Sequence, residues 1–197
     1  VGPDGASHQA LEDIALMRLI PYMKIIAPCD GPQTKDAVWA AYHTPGPVYV
    51  RLGRPKVPTI EGRGGFKFGE AEVLTNGKDV SIIACGIMLK QALDAAAILE
   101  KEKVNCRVIN IHTIKPIDAK TLINAAKETK GMVVCEEHAV VGGLASAVDE
   151  VVAENHPARV LRVGVRNRYG QSGEPEELLN EYQLSVKDIV SACRKVL

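Results

Sequence analysis

The chain has 197 residues, enough to bury a sizeable hydrophobic core, and its 24 Lys and Arg residues balance its 24 Asp and Glu residues. A neutral chain offers no overall field for nucleic acid or an anionic membrane, so neither is expected as a partner. Apolar runs stay well short of the roughly 20 residues that cross a bilayer, and the first residues lack a signal-peptide pattern, so we expect a soluble, cytoplasmic protein.

The five cysteines are scattered and form no C-x-x-C pair, which argues against a disulfide framework or a zinc site. Cys85, Cys106 and Cys135 each lie in an apolar, β-branched run. Cysteine in such a run usually packs as a small hydrophobe in a reducing compartment. We therefore expect these thiols to be buried and reduced.

The chain opens on a loop-like stretch, 1–5, without an initiator methionine, which suggests that it begins inside a larger unit. An amphipathic helix is predicted next, with Ser7 as its N-cap. Four residues are expected to share the inner face of that helix: Leu11, Ile14, Ala15 and Leu19.

Strands and helices then alternate with short connections. A strand is predicted at 23–27, a helix capped by Asp30 follows, and a second strand is predicted at 48–52. Three residues of this helix are expected to face inward: Ala37, Val38 and Ala41. This alternation indicates parallel strands with right-handed crossovers. The stretch 53–65 is rich in Pro, Gly and charge, and we interpret it as an interdomain linker.

The remainder of the chain repeats a strand and helix unit. An edge strand is predicted at 66–74, and nearly continuous apolar strands, typical of buried parallel sheets, are predicted at 80–85, 104–111, 132–135 and 160–165. Helices are predicted between and after them, one capped by Asp118 and the last opened by a Ser185 and Asp188 capping box. Together these elements predict a doubly wound α/β domain from about Phe66 to the C-terminus.

Three segments near predicted strand ends carry candidate chemistry, because ligands of such sheets bind beyond the carboxyl ends of the strands. Glu136-Glu137-His138 could act as acid and base or bind a metal, although solvated or interface-paired side chains are commoner. Gly142-Gly143 could hold a phosphate on free N–H groups, although a tight strand-to-helix turn is the more frequent use. Arg166-Asn167-Arg168-Tyr169 is as compatible with an anion site as with a solvated basic loop.

One motif resembles a specific enzyme family. The segment Asp4-Gly5-Ala6-Ser7-His8-Gln9 is similar to the D-G-[PA]-[ST]-H-Q segment of transketolases and 1-deoxyxylulose-5-phosphate synthases. The similarity continues in the family's order through six further segments, at 26–30, 44–47, 51–54, 109–118, 136–147 and 170–173. It therefore spans essentially the whole chain, with Gln183 standing where the family commonly has Gly.

The resemblance implies an α/β fold in two pieces. Residues 1–58 would be the C-terminal half of a thiamine-diphosphate pyrimidine-binding domain, a partial parallel α/β unit, and 59–65 a linker. Residues 66–197 would be the transketolase C-terminal domain, doubly wound, mostly parallel and three-layered. Family members also carry a diphosphate-binding domain and work as dimers with sites between subunits. We therefore expect a partner that supplies that domain, and a homodimer.

The same resemblance bears on the cofactors. The complete enzyme would use thiamine diphosphate and Mg²⁺, but neither is expected on this chain. The family's catalytic glutamate, which protonates the aminopyrimidine, would precede Val1, and so would the aromatic pocket for that ring. A G-D-G metal motif is also missing from the sequence.

Three residues match the family's substrate site. His8 matches the histidine that hydrogen-bonds the reacting sugar hydroxyls, a role suited to a group that exchanges a proton near neutral pH. Asp4 matches the aspartate that accepts a hydrogen bond from the ketose hydroxyl. Arg54 matches the arginine that holds the substrate phosphate in its planar fork of donors. His8 is thus the expected catalytic residue, with Asp4 and Arg54 binding substrate.

The implied activity is part of a transketolase, which passes a two-carbon ketol unit from a ketose phosphate to an aldose phosphate. The chain alone is expected to be inactive. The neighbouring alternative is a 1-deoxyxylulose-5-phosphate synthase, which decarboxylates pyruvate. Beta subunits of 2-oxo acid dehydrogenases share the domain order, but the motif at 4–9 argues against them. The alternative of another class is a non-catalytic module that supplies a dimer surface.

Overall fold

The computed structural model describes residues 2, 4–54 and 56–197. A 3-10 turn at Ala6–His8 comes first. The other elements follow in chain order as α1 (Asp13–Leu19), β1 (Lys24–Ile26), α2 (Gly31–His43), β2 (Val48–Val50), β3 (Glu72–Val73), β4 (Val80–Ala84), α3 (Met88–Lys101), β5 (Cys106–Asn110), β6 (Thr113–Lys115), α4 (Ala119–Glu128), β7 (Met132–Ala139), α5 (Leu144–Asn155), β8 (Val160–Val165), α6 (Pro175–Glu181) and α7 (Val186–Val196).

The larger sheet has the strand order β3-β5-β4-β7-β8 and is parallel except for the short edge strand β3. Its strands are apolar on both faces, since helices cover both. Residues of α3 and α7, such as Leu89 and Ile189, form one hydrophobic core. Residues of α4 and α5, such as Leu122 and Val148, form the other. The predicted doubly wound, mostly parallel, three-layer arrangement is confirmed.

The smaller sheet joins the two halves of the chain. Strand β1 pairs in parallel with β2 on one side and antiparallel with β6 on the other. Ile25 lies opposite Tyr49 on the first side and opposite Lys115 on the second. The sequence pattern did not predict β6, which lies far beyond the predicted linker. A shared sheet, in addition to the linker, therefore connects the N-terminal strands to the C-terminal region.

The segment predicted as a linker is packed against both halves. Ile60 is buried, and its backbone N–H donates to the Asp30 carboxylate at 2.9 Å. Arg63 is also buried and donates to the other oxygen of the same carboxylate at 3.0 Å. Because Asp30 caps α2, these bonds fix the path of the connection relative to that helix.

The first helix begins six residues later than its predicted cap. Ser7 lies in the 3-10 turn, and α1 begins at Asp13 without a side-chain cap. Of the residues expected on the inner face, Leu11 and Ile14 are buried but Leu19 is 81% exposed. The reason is tertiary: the Leu11 carbonyl accepts a hydrogen bond from Ala139 N–H at 2.7 Å, which keeps this stretch out of the helix.

Helix α2 keeps its predicted cap, and Ala37 faces the core as predicted. The Asp30 carboxylate accepts from Gln33 N–H at 2.8 Å, as expected of an N-cap. Gln33 and Ala37, one turn apart, are fully buried. Val38 was expected to face inward and is instead 51% exposed, because it lies about 100° around the helix from Ala37.

Other local expectations can be checked directly. Asp118 caps α4, and Ser185 and Asp188 form the predicted capping box of α7. All five cysteines are free and buried, which confirms their predicted packing role. The edge strand is shorter than predicted, and β7 is longer, continuing to Ala139. Within the described parts of the chain, no helix combines the length and the apolarity needed to span a membrane.

Candidate active site

A cavity of about 250 Å³ opens beside the N-terminal segment and the end of β2. All three residues matched to the family's substrate site line it: Asp4, His8 and Arg54. Its lining also includes four polar residues that were not predicted to bind substrate, namely Asp13, Tyr49, Arg51 and Glu137. The structure therefore brings the predicted residues together and adds a charged floor beneath them.

The three matched residues present exposed side chains at the cavity. Asp4 and Arg54 form an ion pair whose side chains are 37% and 72% exposed. The imidazole of His8 is exposed, with Nδ1 3.0 Å from the Ser7 hydroxyl. An exposed pair of this kind contributes little to stability and can exchange for a ligand. Both the guanidinium and the imidazole are thus open to an incoming molecule.

The floor of the cavity is a largely buried ion cluster centred on Arg51. Its Nε donates to the Asp13 carboxylate at 3.0 Å, and its Nη1 lies 3.5 Å from the Glu137 carboxylate. Its Nη2 donates to the carbonyls of Ala10 and Glu137 at 2.8 and 2.9 Å. Burial opposes the charge, but Asp13 and Glu137 outweigh it and raise the pKa of Arg51. The guanidinium is therefore fully engaged in holding the site together.

Tyr49, in β2 and two residues before Arg51, completes the cluster. Its hydroxyl donates to the Asp13 carboxylate at 2.7 Å, and burial together with that carboxylate raises the pKa of Tyr49 to about 12. Tyr49 and Arg51 are two residues apart, so they project from the same face of the extended chain. This spacing is a signal in the sequence, although only the fold shows that Asp13 and Glu137 meet it.

The Glu136 carboxylate occupies the N-terminal end of α5. It is fully buried and accepts from Leu144 N–H at 2.6 Å and Ala145 N–H at 2.9 Å. These are the N–H groups that would have bound a phosphate at the Gly142-Gly143 turn, so the structure favours the tight turn that was the preferred interpretation of the sequence. Burial raises the pKa of Glu136 despite these bonds. The glycine pair serves as the tight strand-to-helix turn.

His138 is likewise a structural residue. It is fully buried inside β7, where its Nδ1 lies 2.7 Å from the Ala139 carbonyl and Ala15 N–H donates to its Nε2 at 3.3 Å. In these contacts Nδ1 donates to the carbonyl and Nε2 accepts from the backbone N–H. Of the two structural alternatives predicted for this motif, solvated or paired side chains, the structure shows paired ones, because β7 extends through the motif and carries it into the interior.

The basic loop at 166–169 is engaged with α6. The Arg168 guanidinium pairs with Glu181 at 2.7 Å and lies 4.7 Å above the ring of Tyr182. Arg166 donates to the carbonyl of Arg162 at 3.0 Å. These contacts favour the solvated basic loop over an anion site. Among residues 2, 4–54 and 56–197, no group of three or more His, Cys, Asp or Glu side chains is placed to hold a metal ion.

Comparison with known families assigns both halves of the chain. Residues 1–59 match the model described as "Transketolase, pyrimidine binding domain". Residues 69–189 match the model described as "Transketolase, C-terminal domain". The fold agrees: a solved structure named "Split gene transketolase, inactive beta4 tetramer" superposes with a TM-score of 0.93 at 46% identity, covering 98% of this chain and 63% of that one.

Curated relatives point the same way. A putative transketolase C-terminal section from Methanocaldococcus jannaschii is 41% identical, and a 6-deoxy-6-sulfo-D-fructose transketolase subunit from a Clostridium species is 38% identical. They align with 96% and 98% of this chain, which spans 60% of each of them. Human transketolase is 37% identical over the whole chain, which covers 32% of that enzyme. The chain therefore belongs to the transketolase family, of which it carries pyrimidine-binding and C-terminal portions.

Proposed function

We propose that this chain forms part of a transketolase that transfers a two-carbon ketol unit from a ketose phosphate to an aldose phosphate. The cavity that groups Asp4, His8 and Arg54 is the observation that carries this proposal. We also propose residues 1–58 as the partial pyrimidine-binding domain, 59–65 as the linker and 66–197 as the C-terminal domain. The matched ranges 1–59 and 69–189 support boundaries close to these.

His8 is the proposed catalytic residue, and Asp4 and Arg54 are the proposed substrate-binding residues. An exposed imidazole can hydrogen-bond the reacting hydroxyls and take or return a proton as the carbon–carbon bond is broken and formed. Asp4 would accept a hydrogen bond from a hydroxyl of the ketose. Arg54 would hold the phosphate with two parallel N–H donors, a better partner for its guanidinium than a single exposed carboxylate.

Thiamine diphosphate and Mg²⁺ are proposed as cofactors of the complete enzyme, where thiamine supplies the carbon nucleophile. The described residues do not provide a metal site. The one cation of the cavity floor, Arg51, is engaged with the carboxylates of Asp13 and Glu137. We therefore assign the diphosphate and the metal to a partner that carries the diphosphate-binding domain.

The isolated chain is proposed to be inactive and to form homo-oligomers, with a homodimer as the core of the active assembly. The solved relative is itself named an inactive beta4 tetramer, which supports self-association without activity. Two relatives are named as transketolase subunits, which supports a separate partner chain. The five buried free thiols support a reducing, cytoplasmic location.

The proposal is tested by adding the missing partner. The chain is purified alone and together with a chain from the same organism that carries the family's diphosphate-binding domain, both with thiamine diphosphate and Mg²⁺. We expect ketose-to-aldose transfer only from the combination, and no pyruvate-dependent release of carbon dioxide. Carbon dioxide release without transfer would establish the synthase instead, an alternative that the names of the relatives do not favour. Absence of both reactions would overturn the proposal.

A further inference from the structure

We propose that the C-terminal domain positions the substrate-binding segment of the site through a clamp formed by Gln9, Gly170, Gln171 and Ser172. The clamp lies directly beside the exposed residues Asp4 and His8. It rests on the proposed function, since positioning of these two side chains matters for catalysis only if they bind the sugar. The contacts themselves can be tested without any catalytic assay.

A single side chain makes the central contact of the clamp. The Gln9 side-chain Nε2 donates to the backbone carbonyl of Gln171 at 2.8 Å. A longer bond of 3.5 Å reaches the carbonyl of Gly2. The matched family models place Gln9 in one domain and Gln171 in the other. One amide therefore ties the residue after His8 to the C-terminal domain.

The two segments meet without room for side chains between them. A Cβ at Gly170 would lie 1.8 Å from Gln9 Oε1 and 3.4 Å from Ala6 Cα. A Cβ at Gly5 would lie 2.7 Å from the Ser172 hydroxyl, and the positive φ of 76° at Gly5 also favours glycine. The 3-10 turn that carries His8 is therefore seated directly against the loop at 170–172.

The two residues that follow Gln9 are also held in place, Leu11 by the C-terminal domain and Ala10 by Arg51 of its own domain. Leu11 packs into the core beside α3 and α7, and its carbonyl accepts from Ala139 N–H at 2.7 Å. The Ala10 carbonyl accepts from Arg51 at 2.8 Å. Gln9 is thus the residue next to the turn at 6–8 whose side chain is hydrogen-bonded to the C-terminal domain. Releasing it leaves Asp4 and His8 on a longer unsupported stretch, where more conformations compete with the productive one.

The first test measures hydrogen exchange in the isolated chain. The amides of His8 and Gln9 donate to Gly5 and Ala6 within the turn, so they report its order. We expect Gln9→Glu, which removes the donor, to speed their exchange about tenfold or more. Gln171→Ala is the matched control, because it keeps the accepting carbonyl, and it should leave the exchange unchanged. Equal exchange in wild type and Gln9→Glu, or equal acceleration in both variants, would overturn the clamp.

The second test measures coupling in the assembled enzyme. We expect Gln9→Ala to lower kcat/KM for the ketose phosphate about tenfold with an unchanged free energy of unfolding, while Gln171→Ala stays within about twofold. Gly170→Ala should lower it further, since the new methyl displaces Gln9. In the double variant Gln9→Ala with Gly170→Ala, the Gln9 side chain that the new methyl would meet is absent. The fall in kcat/KM should therefore equal that of Gln9→Ala alone. Additive losses would contradict the clamp.

The two tests separate the clamp from the proposed function. Faster exchange in Gln9→Glu combined with a wild-type assembly that transfers no ketol unit supports the clamp and overturns the function. An active wild-type assembly whose Gln9→Ala variant keeps full kcat/KM overturns the clamp as a positioning device and supports the function.

Discussion

Arg51 and Arg54 are three positions apart, and their environments give them different roles. The Arg51 side chain is 16% exposed and bonds two carboxylates and two carbonyls. The Arg54 side chain is 72% exposed and pairs only with Asp4 among the described residues. A sequence motif distinguishes the two poorly, because both are arginines in one short segment. Because it is largely buried and paired, Arg51 has a structural role. Because it is exposed, Arg54 is available to substrate.

Replacing each arginine by alanine separates these roles. Arg51→Ala should lower the free energy of unfolding by about 3 to 5 kcal/mol, since it leaves the carboxylates of Asp13 and Glu137, whose side chains are 11% and 8% exposed, without that cation. Arg54→Ala, its matched control, should change that free energy by no more than about 0.5 kcal/mol. Urea unfolding followed by circular dichroism checks both. Similar stabilities for the two variants would contradict the structural role of Arg51.

Because His112 is buried, we expect the free energy of unfolding to fall in mild acid. Burial, with a smaller effect from Arg63, lowers the pKa of His112 from 6.5 to about 4. Between these two pH values His112 is protonated in the unfolded chain but not in the folded chain. The free energy of unfolding therefore falls as the pH drops from 6.5 towards 4. The full effect is about 3 kcal/mol. His112→Asn should flatten this part of the profile, whereas the exposed His43→Asn should not. Parallel profiles for all three proteins would refute the assignment.

The family resemblance predicted Asp4, His8 and Arg54 as residues of one substrate site, and the structure groups them in one cavity. It did not predict the floor beneath them. Asp13 and Glu137 are 124 positions apart and meet only because β7 runs beside the start of α1. Such long-range pairing leaves no periodic signal in a single sequence. The burial of Glu136, which excludes a solvated side chain, could not be predicted for the same reason.

At the start of helix α5, the Glu136 carboxylate occupies the backbone N–H groups that could otherwise bind an anionic ligand. Glu136 neutralises the N-terminal N–H groups of the helix from inside the core. A Cβ at Gly143 would lie 2.1 Å from its Oε2. The turn therefore accepts only glycine at this position.

Two glycines at helix starts provide a matched pair for testing this cap. Gly143→Ala should lower the free energy of unfolding by about 2 to 4 kcal/mol, because the methyl expels the Glu136 carboxylate from its two bonds. Gly31→Ala at the start of α2 meets nothing within 4 Å and should be neutral or slightly stabilising. Thermal unfolding of both variants measures the difference. A fully stable Gly143→Ala protein would show that the cap is dispensable.

The central strands of the large sheet, β4, β5 and β7, were predictable because each carries a nearly continuous apolar run that is buried on both faces. Strand β6 was not, since its three residues carry no such run and it forms only by pairing with β1. The late start of α1 was missed because Leu11 is drawn into the other domain's core. Local pattern thus predicts elements that pack within one domain. It fails where two domains exchange contacts.

For the molecule as a whole, contacts across the domains predict a single cooperative unit. The shared sheet, the packed connection at 59–65 and the insertion of Leu11 all join the two halves. Trp39, the chain's one tryptophan, lies on α2 and contacts the His43 ring at 4.6 Å. Its fluorescence and the far-ultraviolet circular dichroism should therefore report the same unfolding midpoint. Two separated transitions would show that the halves unfold independently.

The most direct test of the proposed function is ketol transfer by the complete assembly containing either wild-type chain or His8→Ala. His8 is exposed and bonded only within its own turn among the described residues, so the substitution should leave the fold intact. We predict that kcat/KM for the ketose phosphate falls about 100-fold or more, the usual contribution of a positioned acid and base. An unchanged kcat/KM would contradict the assignment of this cavity as the site where the sugar reacts.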